Sequence, residues 1–329
     1  MKAISHRLIE LIPLPPYVTG LMVSSACFIA YFLLAVNNGL VASTLSGEIS
    51  SNGLRASLTL MVLVGYLPVA HWYLRKWTWG HIGELNARFR LADQRHVPGK
   101  ARLILAGMFG SVAFVGLFLI LPGASYSLLQ PWNWDLDFSV VFVAILLVGW
   151  YTGRFSYELV WSALQLTNLA KRLPKLDLLD TESYKPFTQH GVHSVLLIVI
   201  MMSITAYITA QPGAGLVGAV VNTLLMLTIA VIVLVLPMRG VRRRIQAQKR
   251  EELATIRNHI RSTSESVLAG TGETGDKLAA LLAMELRIER VHEWPIDIGS
   301  LLRVALYLML GLGSWIGAAL VERMLESAL

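Results

Sequence analysis

The sequence predicts an all-α, polytopic integral membrane helical bundle of seven transmembrane helices, N-terminus inside and C-terminus outside, with a cytoplasmic helical hairpin. Three observations predict it. Apolar residues make up 55% of the 329 and the mean hydropathy is +0.58, beyond the roughly 45–50% apolar share of soluble domains. Apolar windows of about 20 residues, the length a helix needs to cross a bilayer, recur along the chain. Lys and Arg crowd alternate connections between these windows and nearly vanish from the others, the bias that marks the cytoplasmic side of a membrane protein.

Lys2, Arg7 and a proline-rich stretch precede the first apolar run, 17–36, which is too long for a signal-peptide core. It reads as a retained first span with its start inside. The second span, 58–75, contains Pro68, expected to kink it. The third, 103–121, stops at Pro122-Gly123. The fourth, 138–157, carries a helical pattern that runs on to Leu173, before Pro174. The fifth, 192–210, ends in a Gln211-Pro212-Gly213 turn, and the sixth, 216–236, is expected to stop at Pro237. The seventh is 299–321.

Charge sets the threading. Arg75, Lys76, Arg88, Arg90, Arg95, Lys100 and Arg102 fill the second connection. Arg154, Lys171, Arg172, Lys175 and Lys185 fill the fourth, and Arg239 with Arg242-Arg243-Arg244 follows the sixth span. The outer connections hold Arg55 alone. Trp132 and Trp134 suit the outer interface, and Trp77, Trp79, Trp161 and Trp294 the inner one. The chain thus divides into a six-helix membrane region (1–237), a hairpin (238–296), and the last span with a short outer tail (297–329).

Three inward-facing pieces carry the polar structure. Trp79 to Asp93 reads as a short amphipathic helix on the inner interface. The stretch around Leu173 to Phe187, with two prolines, reads as an ordered loop under the bundle. Apolar residues at helical spacing from Val241 to Leu268 predict the first arm of the hairpin, continuous with the sixth span. A glycine-rich turn, 270–275, leads to a second arm that Asp276 can cap.

The formal charge of +7 fits inner loops held against anionic lipid head groups, about 1 kcal/mol per nearby basic residue. Lipid therefore replaces nucleic acid as the expected partner, together with a second copy of the chain or a cytoplasmic protein. The multi-pass topology places the chain in the cell's inner (plasma) membrane. The one cysteine, Cys27, excludes an intramolecular disulfide framework and a cysteine-based zinc site. No cofactor or catalytic motif is present: Gly270-x-Gly272-x-x-Gly275 lacks the preceding strand of a dinucleotide fingerprint.

Candidate functional residues are few. Arg154 and Glu158, four apart, form a candidate charge pair near the inner boundary, either a permeation element or a snorkelling anchor; their depth favours the anchor. His71, after Pro68, is a candidate pH-sensitive group or a packing histidine. His190 and His193 can share a helical face. Gly311, Gly313, Ser314 and Gly317 give the last span a small-residue side, suited to a pore or to close helix packing. Otherwise the polar residues of the mid-membrane sequence are Ser, Thr and Asn, with no Asp, Glu or Lys, and a bundle without buried carboxylates is expected.

The seven spans, inside N-terminus, outside C-terminus and short last helix after a cytoplasmic helical region resemble insect chemoreceptor channels in topology. The aromatic-plus-glutamine signature of their last helix is absent from Leu302 to Leu320, so no residue roles carry over. The expected function is an oligomeric channel or passive permeation protein. The alternative is a membrane-anchored scaffold or signalling regulator acting through the hairpin.

Overall fold

The computed structural model describes residues 14–46, 51–90, 98–120, 135–173, 178, 180–209, 216–268, 275–294, 299–311, 313 and 317. They are helical with no strand among them: α1 (Pro16–Asn37), α2 (Leu40–Leu45), α3 (Ser51–Phe89), α4 (Lys100–Ile120), α5 (Leu136–Lys171), α6 (Lys185–Thr209), α7 (Leu216–Leu268) and α8 (Gly275–Glu289). A short apolar helix, α9 (Gly299–Gly311), follows. Pro122, the 211–215 turn, Trp132, Trp134, Ser314 and the outer tail lie outside the described residues.

Four helices are long and apolar enough to cross a membrane, over Pro16–Asn37, Gly53–Phe89, Leu136–Lys171 and Glu182–Thr205. Their outer faces suit lipid. Leu21, Met22, Ile29 and Leu33 on α1 are exposed, as are Val140, Val143 and Leu147 on α5. Contiguous apolar surface of this kind is foreign to a monomeric soluble protein. Helices meet the bilayer's demand that each backbone N–H and C=O find a partner within the segment.

Several elements run longer than the sequence suggests. The second span and the expected amphipathic helix after it are one helix, α3, of 39 residues that passes through Pro68. No breaker lies between Trp77 and Phe89, and Ile82 and Leu85 are buried, so packing carries the helix on to Phe89. Arg90, the residue after the helix, adopts a left-handed φ of 50°. The helix that begins at Leu216 does not stop at the expected Pro237: α7 is 53 residues long in all. Contact with α5 holds it there, since Thr167 Oγ1 donates to Leu236 O at 3.1 Å and Met238 and Val241 are fully buried. The fifth span starts at Lys185, with Pro186 in the first helical turn, where a missing N–H costs nothing.

The bundle packs α3 against α1, α5 and α6, with α4 on the far side of α5 and α7 against α5 and α6. Apolar side chains fill it in three levels. Tyr31, Leu60, Leu63, Leu67 and Ile145 form the first. Leu74, Phe155, Leu159, Val195 and Ile198 form the middle one. Leu85, Leu166, Tyr184, Phe187 and Ile245 form the last. Glycine permits the closest crossing: a Cβ on Gly149 would stand 2.8 Å from Gly110 O, and one on Gly107 2.7 Å from the Trp150 ring. Ala106-x-x-x-Gly110 thus faces Gly149-x-x-x-Gly153, and Ser111 Oγ donates to Leu146 O across the same joint at 3.0 Å.

The α7–α8 hairpin is built by polar contacts. Arg257 Nε lies 2.6 Å from Glu285 Oε1 and its Nη2 2.8 Å from Glu289 Oε1. Lys249 Nζ donates to the last carbonyls of the second arm, Glu289 O at 2.7 Å and Val291 O at 3.1 Å. Asp276 lies inside the first turn of α8, where its charge complements the helix dipole.

Candidate buried ionic and imidazole site

Along α3, His71 and Arg75 stand one turn apart and face α5. There Glu158, 2% exposed, sits in the bundle interior. Arg75 Nε is 2.6 Å from Glu158 Oε1, and His71 Nε2 abuts Glu158 Oε2. His71 is itself 1% exposed. The expected bundle without buried carboxylates is therefore corrected: Glu158 is a buried acid. Its burial is tolerable because the Arg75 guanidinium pairs with one oxygen, while the His71 imidazole lies against the other.

Glu158 is thus joined to Arg75 and His71. Arg154, one turn earlier, makes no ion pair with it among the described residues; its Cζ lies 5.9 Å from the Trp150 ring centroid. His71, singled out as pH-sensitive, is the imidazole on the carboxylate. Sequence reading passed over Arg75, counted only as a loop charge. The helical pattern from Trp77 to Phe89 was the available signal, because extending α3 puts Arg75 on the His71 face.

A second polar group lies one to two turns further along the same seam. Ser162, one turn past Glu158, is fully buried, and its Oγ is 3.2 Å from His190 Nε2. His190 and His193 do share a face of α6, and His81 of α3 reaches them. The His81 ring stands 5.7 Å from that of His193, nearly parallel at 15°, and 6.3 Å from that of His190, edge-on. Trp77 stacks on His193 at 4.4 Å. Among the described residues no three His, Cys, Asp or Glu side chains are placed to hold a metal ion.

The small-residue face of the last span divides. Gly311 packs on α6, where a Cβ would come 2.9 Å from Val199 Cγ1. Gly313 and Gly317 have no described neighbour within 4 Å of a would-be Cβ. Ser314 lies outside the described residues.

At the base, outside the spans, Arg88 Nη2 pairs with Asp180 Oδ2 at 2.8 Å and Ser183 Oγ donates to the same oxygen at 2.6 Å. The serine hydroxyl, then the Arg88 charge, hold the Asp180 carboxyl below its ordinary range. Glu293 is held below its range in the same way, first by the Gln246 amide and then by Lys249, Arg242 and Arg250.

No known protein family matches the chain, and neither a curated protein nor a solved structure resembles it significantly.

Proposed function

We infer that the protein is a seven-span inner-membrane permeation protein, N-terminus inside, that passes an ion or small solute along the polar seam between α3, α5 and α6. The observation that carries the reading is Glu158, a carboxylate 2% exposed and clasped by Arg75 and His71 of the facing helix. Ionisable side chains inside a membrane bundle mark ion paths and proton relays more often than they mark packing. Seven spans follow from adding the runs at 103–121, 216–236 and 299–321 to the four long apolar helices; the basic loops give the orientation. The open sides of Gly313 and Gly317 leave room for a helix of a second copy, in keeping with an oligomer.

Purified protein reconstituted in liposomes should release entrapped ions or small solutes, and both Glu158→Gln and Gly313→Leu should alter the rate. Vesicles that stay tight across a broad panel would refute it. A reporter fused behind Leu329 that is active only in the cytosol would overturn the orientation. The scaffold reading is favoured by one observation: α8 leaves Leu282, Met284 and Leu286 exposed beside the first arm. On that reading, deleting 246–290 abolishes capture of a cytoplasmic partner while leaving membrane insertion intact.

A further inference from the structure

We propose that His193, His81, His190 and Ser162 form a proton relay that joins the inner end of the bundle to the Glu158–His71 pair. The relay deepens the permeation reading and rests on it for its purpose, since it would set the protonation of the buried acid from one side of the membrane.

Three helices supply the relay in register. On α3, His71 and Arg75 are one turn apart and face α5, while His81, about 80° round the helix from His71, faces α6; on α5, Glu158 and Ser162 are one turn apart; on α6, His190 and Ser194 are one turn apart with His193 between. His190 is 1% exposed, His81 8%, and Ser162 and Ser194 are fully buried, whereas His193 is half-buried. His193 is therefore the entry and Ser162 the inner end. The Ser162–His190 link is direct, at 3.2 Å. The imidazole–imidazole steps have ring centroids 5.7 and 6.3 Å apart, within reach of a single bridging water. Ser162 and Glu158, one turn apart on the same face, have Cβ atoms roughly 5–6 Å apart, again a one-water step.

The unused hydrogen-bonding capacity points the same way. His190 Nδ1, His81 Nε2, His193 Nδ1 and Ser194 Oγ are buried without a protein partner. Four such atoms in one seam are costly to strip of water, and groups like these are the ones that retain it. Metal binding does not account for them, since among the described residues no three His, Cys, Asp or Glu side chains are placed to hold a metal ion. An imidazole can accept a proton on one nitrogen and release another from the second.

The balance of one passage is simple. His193 takes a proton from inner water. His81 and then His190 each accept one and give one up. Ser162, whose hydroxyl donates to Leu159 O at 2.9 Å at rest, accepts from His190 Nε2 and turns its own proton towards Glu158. The Glu158–His71 pair gains one proton, inner water loses one, and the rings reset by exchanging tautomers. The surrounding charges are Arg75 on α3, Glu158 and Arg154 on α5, and Arg303 of α9, whose positive field reaches His193. On α7, Leu234 lies beside Gly191 and the first basic side chain, Arg239, is exposed.

The test is ring-nitrogen NMR of full-length protein, 15N-labelled at histidine, in lipid nanodiscs, with signals assigned by single His→Gln variants. Glu158→Gln should shift the titration of His190 and His81 by about tenfold or more in proton affinity, as coupled sites require. Ser162→Ala, which keeps the carboxylate pair intact, should abolish that coupling. If Glu158→Gln moves only His71, or Ser162→Ala leaves the coupling untouched, the relay is wrong. Should Glu158→Gln not fold, Ser162→Ala decides alone, by whether the His190 titration separates from that of His71. The same preparations in liposomes separate the two readings. Coupled imidazoles in tight vesicles keep the relay and sink permeation; conducting vesicles with uncoupled imidazoles do the reverse.

Discussion

Gly110 of α4 and Gly153 of α5 face each other so closely that a Cβ on the first would stand 2.7 Å from the Cα of the second. Lipid supplies no hydrophobic push between helices, so close backbone approach and dispersion must hold α4 in place. Gly110→Val forces the two helices apart and should cost about 1–3 kcal/mol, as overpacking does. Thermal unfolding in detergent reads the loss. Gly313→Leu, where a side chain meets open space, should leave the same transition unmoved.

Glu158→Gln leaves Arg75, whose side chain is 13% exposed, without its counter-charge. Breaking one side of a buried pair costs about 3–5 kcal/mol, whereas replacing both sides with apolar residues is often near neutral. Arg75→Met with Glu158→Leu should therefore recover most of the stability that either single change loses. A double-mutant cycle by denaturant unfolding measures it, and additive losses would contradict the pairing.

Lys249 ends the second arm of the hairpin by donating to Glu289 O and Val291 O, carbonyls that a helix terminus otherwise leaves unmet. Lys249→Met should destabilise the docked α8 by about 1 kcal/mol. Faster amide exchange confined to 285–291, with the spans unaffected, is the expected readout.

The Arg88–Asp180 tie should be acid-sensitive. Asp180 titrates below its ordinary range when folded, so its contribution is complete above the unfolded carboxyl value, about 3.9. It fades as pH falls through the lower folded value. Hydrogen exchange across 180–187 should rise over that acid window in the native chain. In Asp180→Asn it should already be elevated at neutral pH and respond less to acid.

The helices were legible where periodicity and length agree: α1, α5 and the first arm of the hairpin lie close to where apolar spacing puts them. Their limits were less so. Pro68 and Pro237 read as a kink and a stop because local rules price a lost N–H; they cannot price Thr167 or the buried Met238 holding the helix on course. The site was half visible. Arg154 and Glu158 attract notice because a pair four apart is a local signal. The groups that hold Glu158 come from α3, distant in sequence, and no spacing rule reaches across that gap. His190 and His193 could be placed on one face, but their meeting with His81 depended on α3 running past Trp77.

The unbroken length of α7 has a mechanical corollary. Fifty-three residues make a rod of about 80 Å, and the stretch from Leu234 to Leu268 extends about 50 Å beyond the contact with Gly191. Pivoted at Leu234, a tilt of about 5° would swing the far end through roughly 4 Å by that geometry. Ångström-scale adjustments beside His190 would thus emerge, magnified, at the far tip of the arm.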